Sequence, residues 1–552
     1  MNIVIVGGVA GGMSAATRAR RLDETARITV FEKGPYVSYA NCGIPYALGK
    51  VIEDDGSLIL QTPKSFADRF NIDVRLNTEA ISIDREKRLV HIRTTDTEEQ
   101  HQAPYDKLIL SQGAEPFRPP IEGVGLPNVF TLQTIMDLQN IRYFISEHRV
   151  KRTTIIGGGF IGLEAAENLR KLGLEVTLLE YTSHVFPPVD GDMAEPVHAE
   201  LRRNCVRLVL NARVQRIQPG CIVQASGEEI PTDLVLLAVG IRARTTLARQ
   251  AGLKVGKAGV SVNEFMQTSD PDIYAVGDMA ETEHRIASRP LPLALAGPAN
   301  RQGRLAADHI FGKAIRYRGN VGTAACKVFD LTVAATGLSV SSLRQIGHDP
   351  LWVTVHPPDH AGYYPGANPI MLKVAFERDT GHLLGTQAVG RNNVDKRIDV
   401  FSTALQAGMT ILDLEHLELA YAPPFGSAKD PVNMAGFVGS NVLRGDTEII
   451  HAEDLANAKD IDQMQLVDVR SQKEFARGHI RFAKILPLDS LRYSHSGLDK
   501  SRRVVVYCQV GYRGYLAYRI LKQKGFDVLN LDGGFRAVVE SGFATLHTSL
   551  QV

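Results

Sequence analysis

The feature that most constrains the fold is a pattern of strand, glycine turn, helix, strand and acid that occurs twice. The first copy runs from an apolar strand at 2–6 through the glycine turn 7–12 to Glu32. The second runs from a strand at 153–156 through the turn 157–162 to Glu180. Such a turn lets backbone N–H groups and a helix N-terminus approach a pyrophosphate, and the acid holds ribose hydroxyls. The repeat therefore predicts two dinucleotide-binding α/β domains.

The two turns differ in detail. The second fits GxGxxG in full, whereas Val9 occupies the middle glycine position of the first. The acid Glu180 would repel a 2′-phosphate, so we expect NADH rather than NADPH at the second site. The candidate cofactor-binding residues of the two patterns are Gly7, Val9, Gly12, Glu32 and Lys33 in the first, and Gly157, Gly159, Gly162 and Glu180 in the second.

Composition excludes several other classes of protein. A length of 552 residues predicts three or four domains, and a net charge of +1 argues against nucleic acid as a partner. There is no apolar run long enough to cross a membrane, and the first residues predict a strand rather than a signal peptide. Five cysteines are too few for a disulfide scaffold and indicate a reducing cytoplasm. No cysteine or histidine spacing predicts a metal site.

A third motif connects the two patterns. The segment 268–278, TSDPDIYAVGD, resembles the second FAD motif of the flavoprotein pyridine nucleotide-disulfide reductases. The segments 108–116 and 236–242 resemble the two crossover strands of that family. The resemblance covers residues 1 to about 445 and implies FAD at the first site, NADH at the second and a dimerisation domain. It also implies three further FAD contacts, Asp278 to the ribityl chain together with Asn41 and Leu295.

A cysteine lies just beyond the first acid, in the segment 38–46, SYANCGIPY. We expect this segment to open a helix with Cys42 at its N-terminus. The helix dipole and the free N–H groups would then lower the pKa of the thiol and favour the nucleophilic thiolate. The alternative is a buried structural cysteine, which the flanking Asn41 and Gly43 disfavour.

Cysteine spacing separates the subfamilies. Reductases that resemble glutathione reductase use CxxxxC, but the second position here is Ala47, so the enzyme would work with one cysteine on the protein. NADH oxidases and peroxidases of the family also use one cysteine, but they carry a histidine where this chain has Ala10. The pattern SxxNCGxPY resembles the coenzyme A-disulfide reductases instead.

That resemblance implies a substrate site. Two tyrosines from the partner subunit's dimerisation domain would lie at the cysteine: Tyr421 is one, and either Tyr363 or Tyr364 is the other. A phenol there could protonate a departing thiolate. For any single arginine of the implied site, a solvated helix face is the competing interpretation. The implied substrate-binding residues are Ser14, Arg18, Arg21, Ser38, Asn41, Asn300, Arg301 and Lys429.

The last 90 residues predict a separate catalytic domain. A buried strand at 503–507 runs into Cys508, and a helix follows Arg513. This arrangement aims backbone N–H groups at the sulfur, and Arg513 would add positive charge. Four residues separate Cys508 from Arg513, one fewer than in cysteine phosphatases, which suits a single sulfur atom rather than phosphate. The motifs LVDVR, GHI, CxxGxR and LDGGF resemble a rhodanese domain over 463–543; a buried cysteine at a strand end would not account for four motifs in order.

The predicted fold class is α/β, with two Rossmann-like domains, an α+β dimerisation domain and a C-terminal α/β rhodanese domain. The expected ranges are 1–115 and 246–318 for the FAD-binding domain, 116–245 for the NAD(P)H-binding domain, 319–445 for the dimerisation domain, 446–462 for a linker and 463–552 for the rhodanese domain.

The resemblance implies an NADH- and FAD-dependent homodimer that reduces coenzyme A persulfide or polysulfide to hydrogen sulfide. Cys42 would carry the redox step, and Cys508 would carry sulfane sulfur. A plain coenzyme A-disulfide reductase, an NADH oxidase, and a redox sensor or sulfur carrier with a structural flavin are the alternatives. The rhodanese domain argues against the first, because disulfide reduction needs no sulfane carrier.

Overall fold

The computed structural model of the protein describes residues 1–459 and 461–543. They form two compact units, one of 1–181 with 206–320 and the other of 182–205 with the described residues from 321 onward. Helices and strands alternate through both units, so the predicted α/β class is confirmed. Asp460 of the predicted linker and the last part of the predicted rhodanese range, 544–552, lie outside the described residues.

The first glycine turn leaves the centre of a parallel sheet. The strand Asn2–Val6 is buried from Ile3 onward, which explains its continuous apolar sequence. Its helix, Ala10–Leu22, packs on a second helix, Ala296–Ile310, through small residues that let the helices approach. The strands in sheet order are Ile273–Ala275, Lys107–Leu110, Asn2–Val6, Arg27–Phe31 and Asp73–Arg75.

The second glycine turn repeats this arrangement. The strand Arg152–Ile156 lies at the centre of another parallel sheet and is followed by the helix Phe160–Lys171. The carboxyl ends of parallel strands meet at one edge, so the turn and the acid after the next strand lie together. The strands in sheet order are Val206–Val209, Glu175–Leu179, Arg152–Ile156, Leu234–Leu237 and Val129–Phe130.

The two predicted crossover segments pair with each other. Ala114–Pro116 and Ile241–Ala243 form an antiparallel pair, and the Arg242 guanidinium lies 4.0 Å from the Phe117 ring centroid. The other strands of this unit are Thr78–Asp84, Leu89–Thr94, Gln100–Pro104, Val214–Gln218, Cys221–Gln224, Glu229–Pro231, Val260–Ser261, Ala280–Glu281, Glu283–His284 and Arg289–Pro290. Its other helices are Ile44–Leu48, Pro63–Phe70, Ile135–Glu147 and Thr246–Gln250.

The second unit contains an antiparallel sheet. Two of its central strands, Met371–Phe376 and Leu383–Gly390, are buried at every residue. The strands in sheet order are Ala324–Val328, Leu331–Gly337, Leu383–Gly390, Met371–Phe376 and Leu351–Val355. The helices Gly191–Arg203, Val340–Gln345, Val394–Ala407 and Pro431–Leu443 accompany the sheet.

One helix of the second unit comes from the range predicted for NAD(P)H binding. Gly191–Arg203 follows Asp190, whose carboxylate lies 3.0 Å from the buried Lys373 ammonium and accepts a 2.7 Å hydrogen bond from Gln387. A buried ammonium needs opposite charge beside it. The ion pair therefore ties this helix to the antiparallel sheet.

The C-terminal part of the second unit is a five-stranded parallel sheet. Its strands in sheet order are Ile449–Ile450, Val528–Leu531, Val504–Tyr507, Gln465–Asp468 and Lys484–Ile485. Its helices are Ala452–Asn457, Gln472–Arg477, Leu488–Ser494, Tyr512–Gln523 and Gly534–Glu540. The central strand Val504–Tyr507 is fully buried and ends at Cys508.

This domain docks on the edge strand of the antiparallel sheet. Both carboxylate oxygens of Asp532 accept from the Thr354 N–H, at 2.9 and 3.1 Å, and the Trp352 ring stacks on His451 at a centroid distance of 3.8 Å. Over residues 1–459 and 461–543, no helix is long and apolar enough to span a bilayer. In the same described part of the chain, no group of three His, Cys, Asp or Glu side chains could hold a metal ion.

Candidate functional site

A cavity of about 590 Å³ opens beside the first glycine turn. Seven of the residues predicted to hold FAD line it, and the predicted redox cysteine lies among them. A volume of this size is typical of cofactor sites. The predicted residues in the lining are Gly7, Val9, Glu32, Lys33, Asn41, Cys42, Asp278 and Leu295.

The backbone at this turn fits a dinucleotide. Val9 is the N-cap of the helix Ala10–Leu22 and gives no side-chain hydrogen bond to its first turn, which leaves that turn for an anionic group. A Cβ at Gly12 would come within 2.0 Å of the Gly7 carbonyl oxygen, so only glycine allows this close approach. Glu32 accepts from the Gly8 N–H at 2.8 Å, which fixes its carboxylate at the turn. These features agree with the FAD site implied by the sequence.

The second glycine turn has the same geometry. A Cβ at Gly162 would lie 2.0 Å from the Gly157 carbonyl oxygen, and Gly159 is the N-cap of the following helix. The Gly158 N–H donates to the Glu180 carboxylate at 2.7 Å. The four predicted NADH-binding residues therefore lie together at one strand edge, as expected from the spacing.

Asp278 lines the same cavity and lies in the short turn Gly277–Met279. The Gln302 side chain accepts from the Gly277 N–H at 2.8 Å and fixes this turn to the helix Ala296–Ile310. Burial raises the pKa of the Asp278 carboxyl. The carboxyl group therefore needs a hydrogen-bonding partner in the cavity, such as a ligand hydroxyl.

Cys42 lies in a turn, Asn41–Gly43, that leads into the five-residue helix Ile44–Leu48. Its thiol is exposed to the cavity, whereas Ala47 is fully buried at the position where a second cysteine would stand. The Asn41 amide oxygen is 3.9 Å from the sulfur, too far for more than a weak contact. The helix therefore carries one sulfur atom, and a disulfide partner has to come from the substrate.

The expected low pKa of Cys42 is wrong for this structure. Burial raises the pKa of the thiol, and the carboxylates of Glu164 and Asp278 raise it further. A single short helix has little dipole to oppose these effects. Glu164 lies on the helix Phe160–Lys171 and accepts a 3.0 Å hydrogen bond from the Tyr46 hydroxyl. Thiolate formation at Cys42 therefore depends on what occupies the cavity.

Of the residues implied for substrate binding on the first unit, Asn41 lines the cavity and the others lie outside its lining. Ser14 donates to the Asn300 amide oxygen at 2.5 Å, so these two predicted residues do meet. Arg18 forms a 2.6 Å ion pair with the buried Asp308, which orients its guanidinium. Ser38 is half-buried, and Arg21 and Arg301 are exposed.

The second unit brings two tyrosines together. The Tyr363 and Tyr421 hydroxyls are 3.0 Å apart, and this hydrogen bond raises the pKa of Tyr363. Tyr364 instead places its ring edge-on against His360, with centroids 5.7 Å apart. Of the two alternatives at 363 and 364, the geometry therefore favours Tyr363 as the partner of Tyr421.

A buried ion pair anchors the loop that carries Tyr421 and Lys429. Arg397, which has no exposed surface, donates to the Asp430 carboxylate at 2.8 Å, and Asp430 caps the helix Pro431–Leu443. Breaking such a pair by removing one partner is strongly destabilising. Lys429 is exposed and directly precedes this anchor in the chain.

Cys508 occupies a different kind of site. Its side chain is 1% exposed, and the Gly511 N–H points at the sulfur from 3.2 Å. Arg513 interacts with the sulfur and forms two hydrogen bonds, of 2.9 and 2.6 Å, to Glu474. Hydrogen bonding to Glu474 raises the pKa of Arg513, so the guanidinium stays charged. The described residues thus place one backbone N–H and the predicted arginine at the sulfur, with a carboxylate in addition.

The N-terminus of the last helix holds the Cys508 loop. The Phe535 N–H donates to the Cys508 carbonyl at 2.8 Å, and the Arg536 N–H donates to the Gln509 carbonyl at 3.0 Å. A Cβ at Gly534 would lie 2.5 Å from the Cys508 carbonyl oxygen, which accounts for the glycines of LDGGF. These two hydrogen bonds attach the backbone of the Cys508 loop to the last helix.

Two acids at these sites were not among the predicted residues. Glu164 lies two positions after Gly162, and Glu474 lies three after Ser471, with which it forms a capping box. The capping-box pattern S-x-x-E could have located Glu474 on a helix, but not beside Arg513. Nothing in the sequence around Glu164 places its carboxylate near a cysteine 122 positions earlier.

Three family models match the chain. Pyridine nucleotide-disulphide oxidoreductase matches residues 1–302, its dimerisation domain matches 323–431, and the rhodanese-like domain matches 451–541. A coenzyme A disulfide reductase of Staphylococcus aureus is 36% identical over 439 residues, which are 79% of this chain and 99% of the relative.

Two solved structures resemble nearly the whole chain. Reduced Bacillus anthracis CoADR-RHD is 42% identical with a TM-score of 0.96, and the match covers 98% of each chain. A NAD-dependent persulfide reductase from A. fulgidus is 38% identical with a TM-score of 0.92, covering 97% of this chain and all of that one. Both matches extend through the C-terminal domain, which the S. aureus relative does not reach.

Proposed function

The chain belongs to the pyridine nucleotide-disulphide oxidoreductase family, and we propose that it reduces coenzyme A persulfide, or polysulfide, to hydrogen sulfide with NADH. FAD would be held by Gly7, Val9, Glu32 and Asp278, and NADH by the second glycine turn and Glu180. FAD bound in the cavity supplies two-electron exchange between NADH and sulfur. The acid at Glu180 favours NADH over NADPH.

The observation that supports this proposal most strongly is that one chain holds two cysteines in very different surroundings. Cys42 opens to the cofactor cavity without a second thiol at Ala47, and Cys508 sits in a closed N–H cradle. A disulfide reductase needs only the first site, whereas a sulfane sulfur carrier needs the second. The likeness to the persulfide reductase over 97% of the chain supports the same conclusion.

The chemistry at Cys42 follows from its single sulfur. Its thiolate attacks the inner sulfur of coenzyme A persulfide; a Cys42–coenzyme A disulfide forms and hydrosulfide leaves. Two electrons originating from NADH and one proton then cleave that disulfide to the Cys42 thiolate and free coenzyme A. The sum is persulfide, NADH and a proton converted to thiol, hydrogen sulfide and NAD⁺.

The thiolate that leaves when a sulfur–sulfur bond breaks at Cys42 needs a proton donor. The paired hydroxyls of Tyr363 and Tyr421 are suited to this role, because a hydrogen-bonded phenol pair can give a proton and share the resulting charge. The chain would act as a homodimer in which these tyrosines serve the Cys42 of the other subunit. Ser14, Arg18, Arg21, Ser38, Asn41, Asn300, Arg301 and Lys429 are the proposed coenzyme A contacts.

Cys508 would accept a sulfane sulfur atom and pass it on as a persulfide. The Gly511 N–H donates to the Cys508 sulfur and Arg513 interacts with it, so these two groups would hold the transferred sulfur. The pantetheine arm of coenzyme A would carry the sulfur to Cys42. The five free cysteines are compatible with a reducing compartment, and we place the enzyme in the cytoplasm.

Coenzyme A disulfide reduction is the second candidate function, and the S. aureus relative favours it because its full length matches only 79% of the chain. An NADH oxidase is less favoured, because Ala10 stands where that group carries histidine. Oxygen uptake without added thiol would identify it. Steady NADH turnover with a sulfur substrate would eliminate a sensor or carrier with a structural flavin.

Intact mass of the purified holoenzyme, with and without reductant, tests the substrate class. A reducible coenzyme A adduct that disappears in Cys42→Ser, followed by faster NADH oxidation with coenzyme A persulfide than with coenzyme A disulfide, supports the proposal. Faster turnover of the disulfide would show the second candidate to be the function.

A further inference from the structure

The charge beside Cys508 is largely cancelled by a carboxylate. Arg513 is bound through two nitrogens to Glu474, at 2.9 and 2.6 Å. These hydrogen bonds lower the pKa of Glu474 to about 2, so the carboxylate is ionised at neutral pH. A substrate approaching the sulfur therefore meets a guanidinium together with its counter-ion rather than an isolated cation.

A second arginine at the same loop is also compensated. Arg470 donates to the Gln509 amide oxygen at 2.9 Å and is 2% exposed. Its own charge is offset by Asp468, whose carboxylate lies 2.7 Å from its Nη2 atom. The two arginines that reach the Cys508 loop thus bring two carboxylates with them, and the cradle has little net positive charge.

We propose that Glu474 sets the sulfur donor of Cys508: by offsetting Arg513 it selects an alkyl persulfide over the thiosulfate dianion. This inference rests on the proposed carrier role of Cys508. Thiosulfate brings two negative charges to the reacting sulfur, whereas an alkyl persulfide brings at most one, so a neutral cradle penalises the former more. Tyr512, the first residue of the helix that follows the loop and 64% exposed, offers apolar surface to an organic donor.

The transfer step needs no external oxidant. The Cys508 thiolate attacks the outer sulfur of an alkyl persulfide, R–S–SH. A new S–S bond forms on Cys508, the old S–S bond breaks, and the alkyl thiolate R–S⁻ leaves with the electron pair. One sulfane sulfur changes carrier, and the number of protons is the same on both sides.

The test is Glu474→Gln in the full-length holoenzyme. Glutamine keeps the capping-box hydrogen bonds with Ser471 but removes the charge. Asp527→Asn is the matched control, because it frees an arginine in the same way: Arg503 pairs with Asp527 at 2.9 Å, at the end of the strand Val504–Tyr507 remote from Cys508. Both variants change the net charge by one unit.

The measurement is the rate at which Cys508 gains one sulfur atom, followed by intact mass without NADH, with thiosulfate and with a small alkyl persulfide. In Glu474→Gln the rate with thiosulfate should rise roughly tenfold relative to the persulfide rate. The ratio should not change in Asp527→Asn. An unchanged ratio in Glu474→Gln, or loss of loading by both donors, overturns the selection by Glu474. If the wild-type Cys508 loads from neither donor, the carrier role itself falls as well.

Discussion

Cys42 and Cys508 are both proposed sulfur nucleophiles, yet their surroundings are opposite. Cys42 lines a cavity, and its pKa is raised by partial burial and by the carboxylates of Glu164 and Asp278. Cys508 is closed off, receives the Gly511 N–H at 3.2 Å and interacts with Arg513. The first site therefore disfavours a free thiolate, whereas the second directs an N–H group and a guanidinium at its sulfur.

This difference corresponds to two chemical roles, that of a sulfur carrier and that of a redox cysteine. A carrier has to hold an anionic sulfur between encounters, so its stabilising groups are part of the fold. A redox cysteine in a coupled reaction gains from remaining a thiol until its cofactor and substrate are both bound. At Cys42 the stabilising groups would then come from bound ligands and from Tyr363 and Tyr421, not from the helix that carries the cysteine.

Cys42→Ser should give the largest effect. Serine cannot form the mixed disulfide, so NADH oxidation with coenzyme A persulfide should fall about 1000-fold or more. Loading of Cys508 with sulfur should stay within twofold, because the two sites have no chemical step in common at that stage. Stopped-flow absorbance of NADH and intact mass provide the two readings. Parallel loss of both activities would contradict the division of work.

Tyr363→Phe should give the next largest effect. Removal of one phenol of the pair should lower kcat about 100-fold with a smaller change in KM, because the lost proton donor acts on the leaving sulfur. Tyr364→Phe is the matched control and should leave kcat within twofold. Steady-state kinetics over a range of pH separates the two variants. Equal effects at 363 and 364 would show that the Tyr363–Tyr421 contact has no catalytic meaning.

Glu164→Gln should give the smallest effect. The carboxylate raises the pKa of Cys42, so its removal should lower that pKa and increase the thiolate fraction at neutral pH. Alkylation of reduced holoenzyme at pH 7 should become roughly threefold faster, and the difference should vanish at high pH where the thiol is ionised in both. Glu167→Gln, on the same helix, serves as the control. A slower reaction in Glu164→Gln would mean that another group controls the thiol.

Much of the architecture could be predicted from local sequence. The two glycine turns and their acids each specify a strand, a turn and a helix within about 30 residues. The glycines allow the tight turn and the acid binds the ribose, so the local sequence is enough to predict the local fold. Gly7, Glu32, Gly157 and Glu180 therefore lie where the spacing places them. The Cys508 loop was equally predictable, because a strand, a short loop and a helix are contiguous in the chain.

What could not be predicted depends on contacts between distant segments. Burial raises the pKa of Cys42, and so do Glu164 and Asp278, which are 122 and 236 positions away, so the short helix alone predicted the wrong direction of the shift. The choice between Tyr363 and Tyr364 needed the position of Tyr421, and the charge at Cys508 needed Glu474. In each case the missing information is a through-space charge or hydrogen bond that no local pattern encodes.

The most direct test of the two-site account is the rate of NADH-dependent hydrogen sulfide release by Cys508→Ser with two substrates. The account predicts that turnover of preformed coenzyme A persulfide stays within twofold of wild type, because that substrate reaches Cys42 without a carrier. Turnover of inorganic polysulfide with free coenzyme A should fall at least tenfold, since Cys508 is needed to load the carrier thiol. Unchanged turnover of polysulfide in Cys508→Ser would contradict the account.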